Sequence, residues 1–437
     1  MLARYHKCYT AAQVGGLRFC FLTTFYPPHN FGGDGIAIQR LARALSRLGH
    51  EITVVHDVDA YNLLRRGPPP ASAADEPGIE TIELRSRVGP LSPLLTHQLG
   101  TPVVQGARIR RLLADRRFDV IVYHNVSLVG GPGILGYGDA VKLYMAHEHW
   151  LICPMHVLWR HRRELCTGKQ CLRCSIRHWR PPQLYRWSGF MESQLRHVHA
   201  FIAMSEFSRD KHKEFGFEPQ MHVVPYFLAD PEPRSATTSI SPHRRPYFLF
   251  VGRLEKIKGL DEVVPLFRDY PDADLLVAGT GNHEPDLRSL ARGIDRIRFV
   301  GAMSPNDLRT YYQHALAVIV PSICFETFGI VLIEAFQNRA PVIARRLGPF
   351  PELVETSGGG ELFDTARELV AAMRRIQGDP GYRTKLADAG HRAYLEHYCE
   401  SAVVPRFLDV VRGAALAAGR PQVAATLSRA DQAARAR

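Results

Sequence analysis

Residues 17–56 read LRFCFLTTFYPPHNFGGDGIAIQRLARALSRLGHEITVVH and contain a complete β-loop-α-β unit. The apolar run that starts at Leu17 stops at a Pro-Pro turn, which predicts a short buried strand. Beyond the turn, apolar residues recur at the spacing of one helix face: Ile36, Leu41, Ala44, Leu45 and Leu48. Gly49 ends the predicted helix, and residues 51–56 form the next strand. We therefore expect a parallel sheet to begin close to the N-terminus.

Further apolar runs repeat this alternation of strands and helices along two halves of the chain. The predicted strands are residues 120–123, 141–146, 201–204 and 222–224 in the first half, and 275–278, 298–300, 317–320 and 341–344 in the second. The second half also begins with a strand of its own, in the segment PYFLFVGRL at residues 246–254. Such alternation favours α/β architecture, with two doubly wound parallel sheets that are covered by helices on both faces.

A stretch rich in Pro, Ser and Thr marks the boundary between the two predicted domains. We expect an N-terminal Rossmann-like domain over residues 1–235, with an insert at 150–187, and then a linker over residues 236–245. The C-terminal Rossmann-like domain follows over residues 246–415, and its last helix is expected to pack back on the N-terminal domain. Residues 416–437 are expected to form a loose helical or disordered tail.

The composition is that of a globular protein with a basic surface. The 437 residues include 55 Lys and Arg against 43 Asp and Glu, and the basic excess lies mainly in the first half. A basic face suits a phosphorylated acceptor, an anionic membrane surface or nucleic acid, and charge alone does not choose among them. Because no apolar run is long enough to span a bilayer, we expect a cytoplasmic protein, with peripheral contact to the inner membrane face as one option.

Two predicted loops that follow strands of the second domain carry charged residues suited to a nucleotide ligand. In open parallel sheets, ligands bind beyond the carboxyl ends of the strands. The first loop, GRLEKIKG, carries Arg253 and Lys258, whose fixed positive charges suit a diphosphate. The second, in ETFGIVLIE, has Glu326 and Glu334 at its two ends, and carboxylates accept hydrogen bonds from the hydroxyls of a sugar or a ribose.

The order of these segments resembles a known family. YPPHNFGG, RLGHEITVV, VGRLEKIKG, AGTGN and ETFGIVLIEAFQNRAPVIA, in this order, look like family 4 of the retaining glycosyltransferases with the GT-B fold. The resemblance runs from about Leu17 to Val410. It implies two Rossmann-like domains facing a cleft, with the nucleotide sugar held by the C-terminal domain and most of the acceptor by the N-terminal domain. It also implies an EC 2.4 enzyme that transfers a hexosyl group from a UDP- or GDP-sugar to a hydroxyl, with retention of configuration.

The resemblance assigns roles to individual residues. It implies that the donor diphosphate contacts Gly33, Arg253, Lys258, Gly329 and Ile330. It makes Glu326 a catalytic residue that contacts the donor sugar, and Glu334 the residue that binds the ribose. His147 becomes the second catalytic residue, facing the reacting sugar from the N-terminal side. In the expected mechanism, the leaving diphosphate accepts the proton of the acceptor hydroxyl on the same face, and no catalytic metal is required.

Four cysteines within the predicted insert form a pattern of metal-ligand type. Cys153, Cys166, Cys171 and Cys174 are spaced C-x12-C-x4-C-x2-C, and such a set fits one tetrahedral zinc site. An iron–sulfur cluster and unligated thiols are the alternatives. All four tryptophans of the chain lie in or at the edge of this insert, among many arginines. This mixture suits a membrane interface or a phosphate-bearing acceptor, whereas a metal-stapled lid with its own small core explains it equally well.

Other functions remain open on the sequence alone. A nucleotide-sugar epimerase or a phosphorylase with the same fold would share much of the donor site. From another class, a zinc-stapled nucleic-acid-binding protein with vestigial transferase domains would explain the basic insert. The presence of Arg253, Lys258, Glu326 and Glu334 together argues against that reading, so no nucleic acid is expected as a partner. The expected acceptor is a sugar, a lipid-linked saccharide or a polysaccharide, as in polysaccharide biosynthesis.

Overall fold

The computed structural model describes residues 16–65, 67, 70, 76–230 and 240–435. These residues form two parallel β-sheets, each flanked by helices, which confirms the predicted α/β class with two doubly wound domains. The first 15 residues of the N-terminal domain, and residues 236–239 of the predicted linker, lie outside the described residues. Among the described helices, none combines the length and the apolar character needed to cross a bilayer.

The first nine strands belong to the N-terminal half of the chain. They are β1 (Arg18–Leu22), β2 (Glu51–Asp57), β3 (Ile79–Leu84), β4 (Val120–Tyr123), β5 (Val141–Ala146), β6 (Trp159–Arg160), β7 (Glu164–Leu165), β8 (Ala200–Ala203) and β9 (Met221–Val223). Seven of them form one sheet in the order β3-β2-β1-β4-β5-β8-β9, in which every neighbouring pair is parallel. The other two, β6 and β7, pair as a short antiparallel hairpin within the insert.

Six further strands form the sheet of the C-terminal half. They are β10 (Tyr247–Val251), β11 (Asp274–Ala278), β12 (Ile297–Gly301), β13 (Val318–Val320), β14 (Val342–Arg345) and β15 (Gly360–Phe363). Their order is β12-β11-β10-β13-β14-β15, again with parallel pairing throughout. In both sheets the chain order reverses beside the first strand, between β1 and β4 and between β10 and β13. Crevices of this kind are where doubly wound sheets bind ligands.

Sixteen α-helices lie within the described residues. Those of the N-terminal half are α1 (Gly33–Arg47), α2 (Val58–Leu64), α3 (Leu91–Leu99), α4 (Gly106–Arg116), α5 (Cys171–Arg177), α6 (Phe190–Leu195) and α7 (Glu206–Glu214). The others are α8 (Leu260–Val263), α9 (Glu284–Leu290), α10 (Pro305–His314), α11 (Ile330–Gln337), α12 (Phe350–Ser357), α13 (Ala366–Gly378), α14 (Pro380–Ala393), α15 (Glu400–Ala417) and α16 (Pro421–Arg435).

The last two helices return to the N-terminal domain. Helix α15 packs against α1, β5 and β8, and α16 packs against α15. The segment expected to be a loose helical or disordered tail contains the helix α16, which extends to Arg435. Val423, Ala424 and Leu427 lie on one face of α16 and are buried, so this face supplies the apolar contact that holds the helix in place.

Candidate active site

A part-buried ion pair joins the two charged loops of the C-terminal domain. Lys258 Nζ lies 2.6 Å from Glu326 Oε1, and the Ser322 hydroxyl donates to the same oxygen at 2.7 Å. Burial acts to raise the pKa of Glu326, but the charge and hydrogen bond of Lys258 outweigh it, and the net pKa is lowered. Burial likewise opposes the charge of Lys258, yet Glu326 raises its pKa overall. Both groups are therefore charged at neutral pH.

Arg253 lies on the same loop as Lys258, near its start. Its side chain is 56% exposed and pairs with Glu255 of the same loop, with Nη1 2.9 Å from Oε1. The guanidinium also acts on Asp34, at the start of α1 in the other domain, where it opposes the rise in pKa that burial and Glu148 produce. The charge of Arg253 therefore acts on an acidic side chain of the other domain.

The starts of two helices meet at Gly33 and Ile330. A Cβ added to Gly33 would come within 3.2 Å of Ile330 Cδ1, so the start of α1 in the first domain lies close to the start of α11 in the second. Gly329 precedes α11 with φ of 114°, a conformation that favours glycine. Because the unpaired N–H groups and the positive dipole end of a helix lie at its N-terminus, this junction suits an anion.

Glu334 lies one turn into α11 and faces both domains. Its Oε2 accepts a hydrogen bond from the Tyr312 hydroxyl at 2.9 Å, and its Oε1 lies 3.9 Å from Arg40 Nη2 of α1. Burial raises the pKa of Glu334, while Arg40 and the Tyr312 bond oppose that rise. The 3.9 Å spacing to Arg40 is longer than a hydrogen bond.

The structure places the imidazole of His147 differently from the prediction. His147 follows β5, but its ring is buried and both nitrogens are engaged, with Nε2 2.8 Å from His124 Nδ1 and Nδ1 2.7 Å from the Tyr226 hydroxyl. Burial lowers the pKa of His147 to about 3, so the ring is neutral at physiological pH. In this structure the ring therefore presents no free nitrogen to a sugar, and the predicted catalytic role stays a prediction.

Several hydrogen bonds at the cleft were not predicted from the sequence. Thr327 donates from Oγ1 to the His147 carbonyl at 2.9 Å and accepts at its own carbonyl from the Ser205 hydroxyl at 2.7 Å. The backbone N–H groups of Glu206 and Phe207, at the start of α7, donate to Glu352 of α12 at 3.0 and 3.1 Å. These bonds all cross from one domain to the other. Thr327 lies inside the motif ETFGIVLIE, and this motif is the sequence feature that could have indicated it.

The four cysteines of the insert do not assemble into a zinc site in this structure. Tetrahedral zinc with bonds of about 2.3 Å to sulfur requires thiolates about 3.8 Å apart. Among the described residues, no three ligand atoms that include these cysteines lie within 4.8 Å of one another. Cys166 Sγ instead donates to the Gly168 carbonyl, and Cys174 Sγ accepts from the His161 N–H. The thiols as placed do not fit a zinc ion, and the metal stays a prediction.

The tryptophans of the insert divide between a core and a surface. Trp150 is fully buried, stacks on Tyr144 and lies beneath the Arg186 guanidinium. Trp179 and Trp187 are 87% and 54% exposed. Trp150 therefore fits the predicted lid with its own small core, whereas Trp179 and Trp187 fit the predicted membrane or phosphate-binding surface.

Two family models match the chain, one in each domain. Residues 31–228 match Glycosyltransferase Family 4, and residues 234–393 match Glycosyl transferases group 1. The chain is 26% identical over 414 residues to an MMP alpha-(1->4)-mannosyltransferase of Mycolicibacterium hassiacum, covering 87% of this chain and 94% of that protein. These matches identify the two halves as the domains of a glycosyltransferase.

Solved structures of the GT-B class share the fold. Sucrose-phosphate synthase from Thermosynechococcus elongatus superposes with a TM-score of 0.67 at 20% identity, covering 91% of this chain and 98% of that one. Anabaena HepE in complex with UDP-glucose gives a TM-score of 0.62 at 17% identity, covering 90% and 99%. The predicted GT-B fold is confirmed.

Tyr226→Phe tests the buried imidazole arrangement. The substitution removes the hydroxyl that meets His147 Nδ1 and leaves a buried polar nitrogen unpaired. We expect the free energy of unfolding to fall by about 1–3 kcal/mol, measured by chemical denaturation. Tyr137→Phe, which removes a hydroxyl bonded to exposed Arg110 at 3.0 Å, should change it by less than about 0.5 kcal/mol. Equal denaturation midpoints for Tyr226→Phe and the parent would contradict the arrangement.

Proposed function

We propose that this chain, a glycosyltransferase with the GT-B fold, transfers a hexosyl group from a UDP- or GDP-sugar to a hydroxyl acceptor with retention of configuration. One observation carries the proposal: the start of α1 meets the start of α11 at Gly33 and Ile330, and the domain of α11 also holds Lys258 and Arg253. A nucleoside diphosphate is the ligand whose charge matches that junction. The structure of HepE in complex with UDP-glucose supports a donor of this class.

Glu326 is proposed to bind the donor sugar. Lys258 and Ser322 both contact its Oε1, so Oε2 is the oxygen that a sugar hydroxyl can reach. The ion pair also fixes the carboxylate, because moving it would leave a part-buried ammonium without its partner. A charged carboxylate in fixed position binds a sugar hydroxyl without the cost of reorganising the site.

Glu334 is proposed to bind the ribose of the nucleotide. The Tyr312 hydroxyl holds Oε2, and Oε1 lies beyond hydrogen-bond distance of Arg40. The two vicinal hydroxyls of a ribose can donate to one carboxylate. Because Glu334 and Ile330 share α11, ribose and diphosphate would be held by one helix.

The transfer step is proposed to use the diphosphate as its base. The acceptor oxygen attacks the anomeric carbon on the face from which the diphosphate leaves, and a diphosphate oxygen takes the hydroxyl proton. Lys258, Arg253 and the two helix starts stabilise the charge that develops on the leaving group, so the proposal requires no catalytic metal. His147 is neutral and hydrogen-bonded at both nitrogens, which suits a positioning residue better than a general base.

The acceptor is proposed to be carried by an anionic lipid surface. Helix α5 and its flanks expose large apolar side chains, namely Leu172, Ile176, Trp179, Leu184 and Trp187. Exposed arginines lie among them at positions 162, 163, 173, 177 and 180. Indole rings and arginines together suit the headgroup region of a membrane. The insert follows His147 directly, so this surface lies in the domain assigned to the acceptor.

A donor and product assay tests the reaction. UDP- and GDP-sugars that bind should raise the unfolding temperature, and the best of them should yield a glycoside when a hydroxyl acceptor is added. We expect the first-formed product, followed by proton NMR, to keep the anomeric configuration of the donor. An inverted product would refute retention. Conversion of the donor without an acceptor would indicate an epimerase, and a requirement for inorganic phosphate would indicate a phosphorylase.

Substitution of the two glutamates separates their proposed roles. Glu326→Gln should lower kcat on the order of a hundredfold, because a charge fixed next to the reacting sugar is lost. Glu334→Gln should raise the KM for the donor about tenfold, since hydrogen bonds to charged groups contribute about 1.5–3 kcal/mol, and should change kcat little. Glu355→Gln, at an exposed carboxylate of α12, is the matched control. Normal turnover in Glu326→Gln would refute the assignment.

Vesicle sedimentation tests the lipid surface. The chain should sediment with vesicles that contain phosphatidylglycerol and remain in solution with pure phosphatidylcholine. Arg173→Gln with Arg177→Gln should weaken this binding roughly tenfold or more, at about 1 kcal/mol per arginine. Arg292→Gln with Arg298→Gln, exposed in the other domain, should not. Equal binding by both double variants would contradict the surface, and binding to duplex DNA in place of vesicles would favour the nucleic-acid alternative.

A further inference from the structure

Three ligand-type side chains meet at the edge of the N-terminal sheet. His29 lies in the loop after β1, His56 near the end of β2 and Glu83 near the end of β3. One ligand atom from each lies within 4.8 Å of the other two. The three strands are adjacent and parallel, so the sheet itself brings these residues to one place. None of them has a role in the proposed transfer reaction.

His56 is fully buried without a hydrogen-bond partner at either ring nitrogen. Buried polar side chains in folded proteins nearly always have a partner, because an unsatisfied group keeps its full desolvation cost. The ring of His29 stacks on that of His56 with centroids 5.4 Å apart, and its Nδ1 also lacks a hydrogen bond. Two adjacent imidazoles therefore leave nitrogens available within one pocket.

Glu83 presents one oxygen to these rings. Its Oε2 accepts from Arg85 Nε and Nη2 at 2.9 and 2.8 Å, which fixes the carboxylate. Its Oε1 lies 3.5 Å from His29 Nδ1, beyond a normal hydrogen bond. A carboxylate held on one side by a guanidinium, with its other oxygen near an imidazole nitrogen, is arranged as a metal ligand often is.

We propose that His29, His56 and Glu83 bind one divalent first-row metal ion, for which zinc is the best match. Two imidazoles and one carboxylate form a known ligand set for zinc in proteins. Ligand atoms within 4.8 Å of one another need only a modest inward movement to reach bonds of about 2.0–2.2 Å. The site is separate from the four cysteines of the insert and from the diphosphate junction.

The protonation states match this proposal. Burial lowers the pKa of His56 to about 4, with His29 and Arg85 adding to the effect. Burial also lowers the pKa of His29. For Glu83, burial acts to raise the pKa, but Arg85 outweighs it and the net pKa is lowered. Neutral imidazoles and an ionised carboxylate are the forms that bind metal, so few protons have to leave at neutral pH.

A metal at this position would tie the β1–α1 loop to the sheet. His29 lies four residues before Gly33, where α1 approaches α11. The ion would link this loop to β2 and β3, and would thereby stabilise the folded N-terminal domain.

Cobalt titration of the full chain tests the site. Cobalt(II) replaces zinc and reports its ligands, since thiolates add intense charge-transfer absorption whereas nitrogen and oxygen ligands give only d–d bands. After removal of metal with a chelator, the parent should bind cobalt with d–d bands that persist in the double variant Cys166→Ser with Cys171→Ser. His56→Gln and Glu83→Gln should each weaken this binding more than about tenfold.

Glu80→Gln is the matched control, because Glu80 lies on β3 three residues from Glu83 and pairs with Arg116 at the surface. It should bind cobalt as the parent does. Zinc should also raise the unfolding temperature of the parent and the cysteine variant, but not that of Glu83→Gln. The Glu83 side chain is 38% exposed, so we expect this substitution to leave the fold intact. The proposal is overturned if cobalt binds only through thiolates, if the parent binds none, or if Glu83→Gln binds as tightly as the parent.

Discussion

The contact between Gly33 and Ile330 sets the relation between the two domains. Each residue begins a helix, and each helix follows a loop at the carboxyl end of a parallel sheet. A Cβ at position 33 would come within 3.2 Å of Ile330 Cδ1, a tight contact, so the space between the two helix starts is narrow. Glu334 lies on the second of these helices, one turn from the junction. The proposed donor site therefore lies between the two domains and includes residues of both.

Much of the fold could be predicted because buried parallel strands are visible in the sequence as short runs of apolar residues. Residues 120–123 and 141–146 are apolar runs, and β4 and β5 have these same bounds. Four strands were missed, namely β6 and β7 of the insert hairpin and β3 and β15 at the edges of the parallel sheets. β3 carries the sequence IETIEL, in which charged residues alternate with apolar ones at the sheet edge, and β15 has only the four residues GELF. Edge strands are solvated on one side, so their composition resembles that of a loop.

The candidate site was partly accessible from the sequence. Lys258 and Glu326 are distant in sequence, and the motifs indicated both residues but not the ion pair that joins them. The position of the His147 ring depends on His124 and Tyr226, which come from two other loops, and no local pattern reports such a contact. The ordering of α16 likewise depends on α15 beneath it. In each case the missing information is a tertiary contact between segments that are far apart in the chain.

The hydrogen bonds that cross the cleft have a consequence for turnover. Glu352 accepts from the N–H groups of Glu206 and Phe207, and Ser205 donates to the carbonyl of Thr327. In the proposed reaction the spent nucleotide lies between the two domains, and a separation of the domains to release it would break these bonds. Each donor and acceptor of these bonds must then form a hydrogen bond with water. A carboxylate on α12, which takes no part in bond making, would thus help to set how long the spent nucleotide stays bound.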